Sequence, residues 1–219
     1  MIDTAPEESR TTPTRERIKA IAVDLYVLHG YDGFSFGDIA GAIGTTRANI
    51  HHHFGNKQKL MAELIDGFSE NAAWRIKHHW IEAEVSFAQR LSNQLEDLRI
   101  FYHRFNKKRG DRNVWSPLAR LRLDLPVLGE LATHALEKVN RSYETSLRQA
   151  IHKAVQSGEF SQATPVDDVA RVLRVFLMSC APMTQDTGSF DELEKMFGAL
   201  GRTMSAWDAK ASRRKRKIR

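Results

Sequence analysis

Residues 35–57 read SFGDIAGAIGTTRANIHHHFGNK, and the punctuation of this stretch decides the fold. Ser35 followed three positions later by Asp38 is a capping-box-like helix start. Ile39, Ala40 and Ile43 form a short apolar stripe, and Gly44 stops it. Thr45 or Thr46 then caps a second short helix, whose inward stripe is Ile50 and Phe54, four apart. Gly55 breaks that helix, and Asn56 caps the next, which runs through Leu60, Leu64, Ile65 and Phe68 toward Trp74. Two short helices parted by a glycine and a threonine or two make a helix-turn-helix. In that arrangement the second helix enters the DNA major groove.

The run His51, His52, His53 invites a metal reading, which geometry opposes. Consecutive helical residues point about 100° apart, so the three rings fan around the axis instead of converging. Metal pairs on a helix need a spacing of three or four. No metal site and no cofactor are expected. Fanning suits a reading surface better. With Ile50 and Phe54 inward, Arg47, Ala48, Asn49, His51 and His52 fall on or near the outer face, and His53 is lateral. Arg bonds guanine bidentately, Asn does so with adenine, and Ala touches a thymine methyl. Ser35 and Thr46 carry hydroxyls for phosphate oxygens, and Lys57 adds charge where helix amides already favour an anion.

Outward from this centre the chain reads as all-α. Ile18, Ile21, Ala22, Leu25 and Leu28 predict a helix opening at Thr12–Pro13 and closing at Gly30. Residues 1–12 are polar and expected to form a disordered arm. Amphipathic helices are expected over 85–109 and 126–157, parted by GDRNVWSP and the Leu125–Pro126 step. A further helix is expected to be capped by Thr164 with Pro165 in its first turn, and a last one to start at Ser189 with Glu192 closing a capping box. The segment between them, APMTQDTGS, reads as a loop.

Charge is unevenly placed. The chain carries a net +6, and the tail SRRKRKIR alone holds six bases; without it, bases and acids balance at 27 each. The tail suits loose contact with DNA phosphates or a solvated end. The N-terminus has no apolar signal-like core, and no apolar run is long enough to span a membrane, so a cytoplasmic protein is expected. The lone Cys180 sits among apolar residues and reads as core. No phosphate loop, zinc-protease or nucleophile-elbow motif is present, which speaks against an enzyme.

Residues 14–65 resemble the DNA-binding domain of the tetracycline-repressor (TetR) family of bacterial regulators. The likeness lies in TRERI, the GYDG turn, SFGDIA, GTTRANIHHHF, and NK followed by a leucine. It implies a homodimer on double-stranded DNA at a palindromic operator, released when an unidentified small-molecule effector binds, with the protein associated with the bacterial nucleoid. It places Ser35, Thr46 and Lys57 at phosphates, Arg47, Ala48 and His52 at bases, and His53 at the DNA edge. His51 stands where a backbone-touching tyrosine is commoner, which makes that contact pH-sensitive.

The domains so implied are a helix-turn-helix domain over 13–57 continuing into a linking helix to 80, a ligand and dimerisation domain over 58–210, and a basic tail over 211–219. Aromatic residues crowd 68–115; Trp74, Phe101, Tyr102, Phe105 and Trp115, with His103, are candidates for a ligand cavity, and Arg104 and Arg120 for orienting a polar group. Val169, Leu173 and Phe176 on one terminal helix, with Leu193, Met196, Phe197, Leu200 and Met204 on the other, either bury against a second copy as a four-helix bundle or pack on their own chain. Besides a ligand-responsive repressor, the remaining alternative is a helical interaction module that uses the fold without DNA.

Overall fold

The computed structural model describes residues 14–204. The arm, the cap at Thr12–Pro13 and the basic tail lie outside the described residues. The described residues form helices α1 (Thr14–His29), α2 (Phe36–Ile43), α3 (Arg47–Phe54), α4 (Lys57–Lys77), α5 (Phe87–Phe105), α6 (Pro117–Leu123), α7 (Leu125–Gln156), α8 (Val166–Thr187) and α9 (Asp191–Met204), with no strand among them. A π-helical turn, His78–Glu82, extends α4.

Two apolar cores follow. The first gathers Ile18, Ala22 and Tyr26 of α1, Ile39 of α2, Ile50 and Phe54 of α3, and Leu60 and Ile65 of α4. Ile50 is wholly buried, which stabilises the triad by about 1.5–3 kcal/mol through that side chain alone. This core does not close by itself: Leu121 of α6 and Ala132, Ala135 and Leu136 of α7 complete it. The second core lies among α4, α5, α7, α8 and α9 around Trp80, Phe87, Val139, Leu147, Ile151, Leu173, Leu193 and Phe197. Helix α7 is the shared spine, packed on both α4 and α8. It kinks at Gly129, whose φ of 55° and ψ of −131° leave the helical region.

Four sequence expectations are corrected. Helix α6 falls in a stretch read as a break; Pro117 is in fact at its first turn, with the Ser116 side chain capping Ala119 N. The loop APMTQDTGS is mostly helix, because α8 continues through Pro182 to Thr187. A proline inside a helix costs a backbone bond and about 3 kcal/mol. Tertiary contacts offset this: Trp115 Nε1 donates to Thr184 Oγ1 at 2.7 Å, and Arg112 Nη1 donates to Gln185 O at 2.9 Å and also to Asp186 O. Thr164 does not cap α8; its hydroxyl donates to Ser161 O at 2.7 Å, and Pro165 takes the cap position. Nor does Glu192 close a capping box, since it pairs with Lys195 at 3.3 Å while Ser189 Oγ accepts from Asp191 N at 3.0 Å.

Candidate nucleic-acid interface and ligand cavity

The start of α2 is locked by its own side chains. Ser35 Oγ accepts from Asp38 N at 3.3 Å, and Asp38 Oδ2 accepts from Ser35 N at 2.7 Å. Bonds from Ser35 hold the Asp38 carboxyl below its usual range. Gly44, at φ 69°, ends α2 in the left-handed region, and Thr46 Oγ1 accepts from Asn49 N at 3.2 Å to open α3. The Thr46 hydroxyl proton stays available to an acceptor such as a phosphate oxygen.

On α3, Arg47, Ala48, His51 and His52 are exposed. Arg47 has no partner among the described residues, and residues 39–62 contain no acid, so this face is cationic wherever its side chains are charged. His51 is fixed in place: its Nδ1 lies 2.9 Å from Gly55 O, and its ring meets Phe36 edge-on at 4.8 Å. A carbonyl only accepts, so Nδ1 carries the hydrogen and Nε2 is left for an outside partner. His53 is half-buried beside Phe54, and its carbonyl accepts from Arg15 Nη1 at 2.6 Å, tying α3 to α1.

Two predicted contacts are placed differently. Asn49 is half-buried and donates Nδ2 to Thr45 Oγ1 at 3.0 Å, so its amide serves the turn instead of lying free on the outer face. Lys57 folds back: its Nζ donates to Phe34 O and sits 4.6 Å from the Tyr31 ring centroid. Burial lowers its pKa, opposed by Asp32 and Asp38. It braces the turn between α1 and α2 with one of its three donors, which leaves two for an outside acceptor.

A family model of bacterial regulatory proteins, tetR family, matches residues 18–64, the whole of this interface. Residues 18–64 thus carry the likeness to the DNA-binding domain of that family. The family's members are DNA-binding transcription factors and not enzymes. The described fold is similar to a TetR transcriptional regulator from Legionella pneumophila, at 20% identity over 89% of this chain and 99% of that one, with a TM-score of 0.69. It is similar also to the regulatory protein TetR from Rhodobacter sphaeroides (17% identity, 87% and 98% covered, TM-score 0.72) and to reduced Escherichia coli NemR (17%, 85% and 94%, 0.68). No curated protein matches the chain.

Between α1, α4, α5, α6, α7 and α8 the chain holds a cavity of about 590 Å³. Phe101 and Trp115 line it, as does Arg104, which pairs with Asp24 at 2.6 Å. The other aromatic candidates do not. Trp74 is 63% exposed and stacks on His78, because its position on α4 points away from α7. Tyr102 and Phe105 are buried in the core, Tyr102 against Phe190 at 5.2 Å, and His103 lies beside that pair.

Arg120 serves α1: its Nε donates to Val27 O and its Nη2 to Leu28 O, both at 2.9 Å. The polar lining comes from residues the sequence does not group: Arg75, His79, Gln94, Asp97, Arg122 and Tyr143. They are spread over α4 with its π-helical turn, α5, α6 and α7, so no one local spacing announces the set. Arg75 and His79 share Asp97, with His79 Nε2 at 3.1 Å. Burial, with help from Arg75 and His78, pushes the His79 imidazole below its usual range.

The terminal hairpin packs much of its apolar stripe on its own chain, one of the two arrangements the sequence leaves open. Val169, Leu173, Leu193, Phe197 and Met204 are buried within the chain, and Phe176 and Leu200 are half-buried. Phe176 meets Phe197 edge-on at 5.0 Å, which uses the predicted stripe internally. The apolar groups left exposed are Val172 (63%), Val175 (57%) and Met196 (38%). Among the described residues no helix is long and apolar enough to cross a membrane.

Proposed function

We propose that the protein is a dimeric repressor that reads a palindromic operator with α3 and releases it when a small molecule fills the cavity. The observation that carries this is the α3 face itself: exposed Arg47, Ala48, His51 and His52 on a helix whose start is set by Thr46, with no acid from 39 to 62. Arg47 would read guanine, His52 a base edge, and Thr46 and His51 the backbone. Dimerisation fits the outer face of α8 and α9, centred on Val172, Val175 and Met196. Coupling fits the cavity walls, since Ala20 and Val23 of α1 face the same space as Trp115 and Leu177. A ligand there contacts the reading domain and the body at once. Such a protein works in the cytoplasm, bound to the nucleoid.

Selection from random duplex DNA tests the reading. Wild-type protein is expected to enrich a palindrome, and an Arg47→Ala, His52→Ala variant to lose it. Failure to enrich any sequence, after unfolding and refolding to strip bound ligand, would favour the interaction-module alternative.

A further inference from the structure

Four basic side chains line the cavity, and three are already matched. Lys19 pairs with Glu16 and Glu63, Arg75 with Asp97, and Arg104 with Asp24. Arg122 has no carboxylate partner among the described residues; its one hydrogen bond there runs from Nη1 to Leu118 O at 3.3 Å. Burial lowers its pKa, yet a guanidinium starts so high that it stays charged. A cation held out of water without a counter-ion is costly, and a bound anion removes that cost.

The neighbouring groups agree in sign. Tyr143 lines the cavity and forms no hydrogen bond with a described residue. Burial pushes its phenol up, Cys180 adds to this, and the charges of Arg75 and Arg122 oppose it. The hydroxyl is therefore a donor close to both guanidiniums. Gln94 is buried, and Trp80 Nε1 donates to its Oε1 at 3.1 Å, so its NH₂ remains with no described acceptor. Arg122, Tyr143 and Gln94 thus offer unspent donors to the cavity, and Arg122 is its one guanidinium without a carboxylate partner among the described residues. The remaining wall is apolar, with Phe68, Leu98, Phe101, Trp115, Leu177 and Met178.

We infer that the cavity takes an apolar organic monocarboxylate, its carboxylate bound by the Arg122 fork beside the Tyr143 hydroxyl and its body laid against the aromatic wall. This rests on the ligand-sensing reading above. A guanidinium matches two carboxylate oxygens in one plane. A single unmatched cation favours a single negative charge over a dianionic phosphate ester, and about 590 Å³ accommodates a drug-sized molecule.

Isothermal titration of the refolded full-length chain tests it. The probes are decanoate, 1-naphthoate and 4-phenylbutyrate, each beside its neutral amide and its amine analogue. Acids are expected to bind about tenfold or more tighter than the amides, the weight of a charge-assisted bidentate contact. In Arg122→Met that preference should collapse toward one while operator binding persists, which shows the variant folded. Amides or amines binding wild type as well as acids do, or Arg122→Met keeping the preference, would overturn the inference and leave the sensing reading standing. Absence of binding by any probe of any charge would remove both.

Discussion

At the scale of single residues, His51 is the most informative. Its Nδ1–H is committed to Gly55 O at 2.9 Å. In the neutral ring Nε2 then offers a lone pair, which repels a phosphate oxygen; in the imidazolium it donates. DNA therefore favours the protonated form, and operator affinity should rise as pH falls from 8 to 6. His51→Phe should lower the slope of log Kd against pH. An unchanged slope in that variant, measured by anisotropy, would contradict the role. The caps Ser35, Thr46 and Asn56 were legible in the sequence because capping is a contact between residues three apart. The bonds of Asn49 to Thr45 Oγ1 and of Lys57 to Phe34 O were not, because the sequence does not say which of several acceptors a side-chain donor takes.

At the scale of elements, α6 stands out as the joint. Arg120 takes the orphan carbonyls of Val27 and Leu28 at the end of α1, and Asp124 Oδ2 accepts from Tyr31 N at 3.0 Å. Gly30, at φ 75°, permits this approach: a Cβ there would sit 3.2 Å from Asp124 Oδ1. Helix α6 also supplies Leu118, Ala119 and Arg122 to the cavity. It thus touches both the reading domain and the proposed ligand. Arg120→Met should cost about 2 kcal/mol in urea unfolding, for the loss of charge-assisted bonds that leave two carbonyls unpaired. It should also keep operator binding while blunting ligand-driven release. Full release in that variant would place the coupling elsewhere.

Helix α6 was hidden in the sequence by Ser116–Pro117, which reads equally as a break or a start. Likewise Pro182 looked like a stop, although Trp115 and Arg112 hold α8 together past it. Local patterns do not record such long-range partners.

At the scale of the whole molecule, the core of the reading domain is finished by Leu121, Ala132, Ala135 and Leu136 from the body, so the two parts do not pack independently. Under the proposed function, that shared core is the physical route by which filling the cavity would displace α1. The all-helical fold and the helix-turn-helix were legible from spacing alone. The cavity wall and the true outer face of α8 were not, because which of two apolar faces turns outward depends on how α7 and α9 seat. The exposed face predicts that Val172→Glu with Val175→Glu yields a monomer in sedimentation velocity. Operator affinity should fall at least tenfold with it, through lost bivalency. A dimer persisting in that variant would move the interface off α8.

The central claim is that α3 reads base edges, and Arg47 tests it most directly. Anisotropy titrations should compare wild type and Arg47→Ala on the selected operator and on single-base variants of it, at fixed salt. The expected result is a loss of about 1–3 kcal/mol in Arg47→Ala, with discrimination relaxed at one symmetric pair of positions. Equal binding of both proteins to every duplex would mean that α3 does not read the sequence.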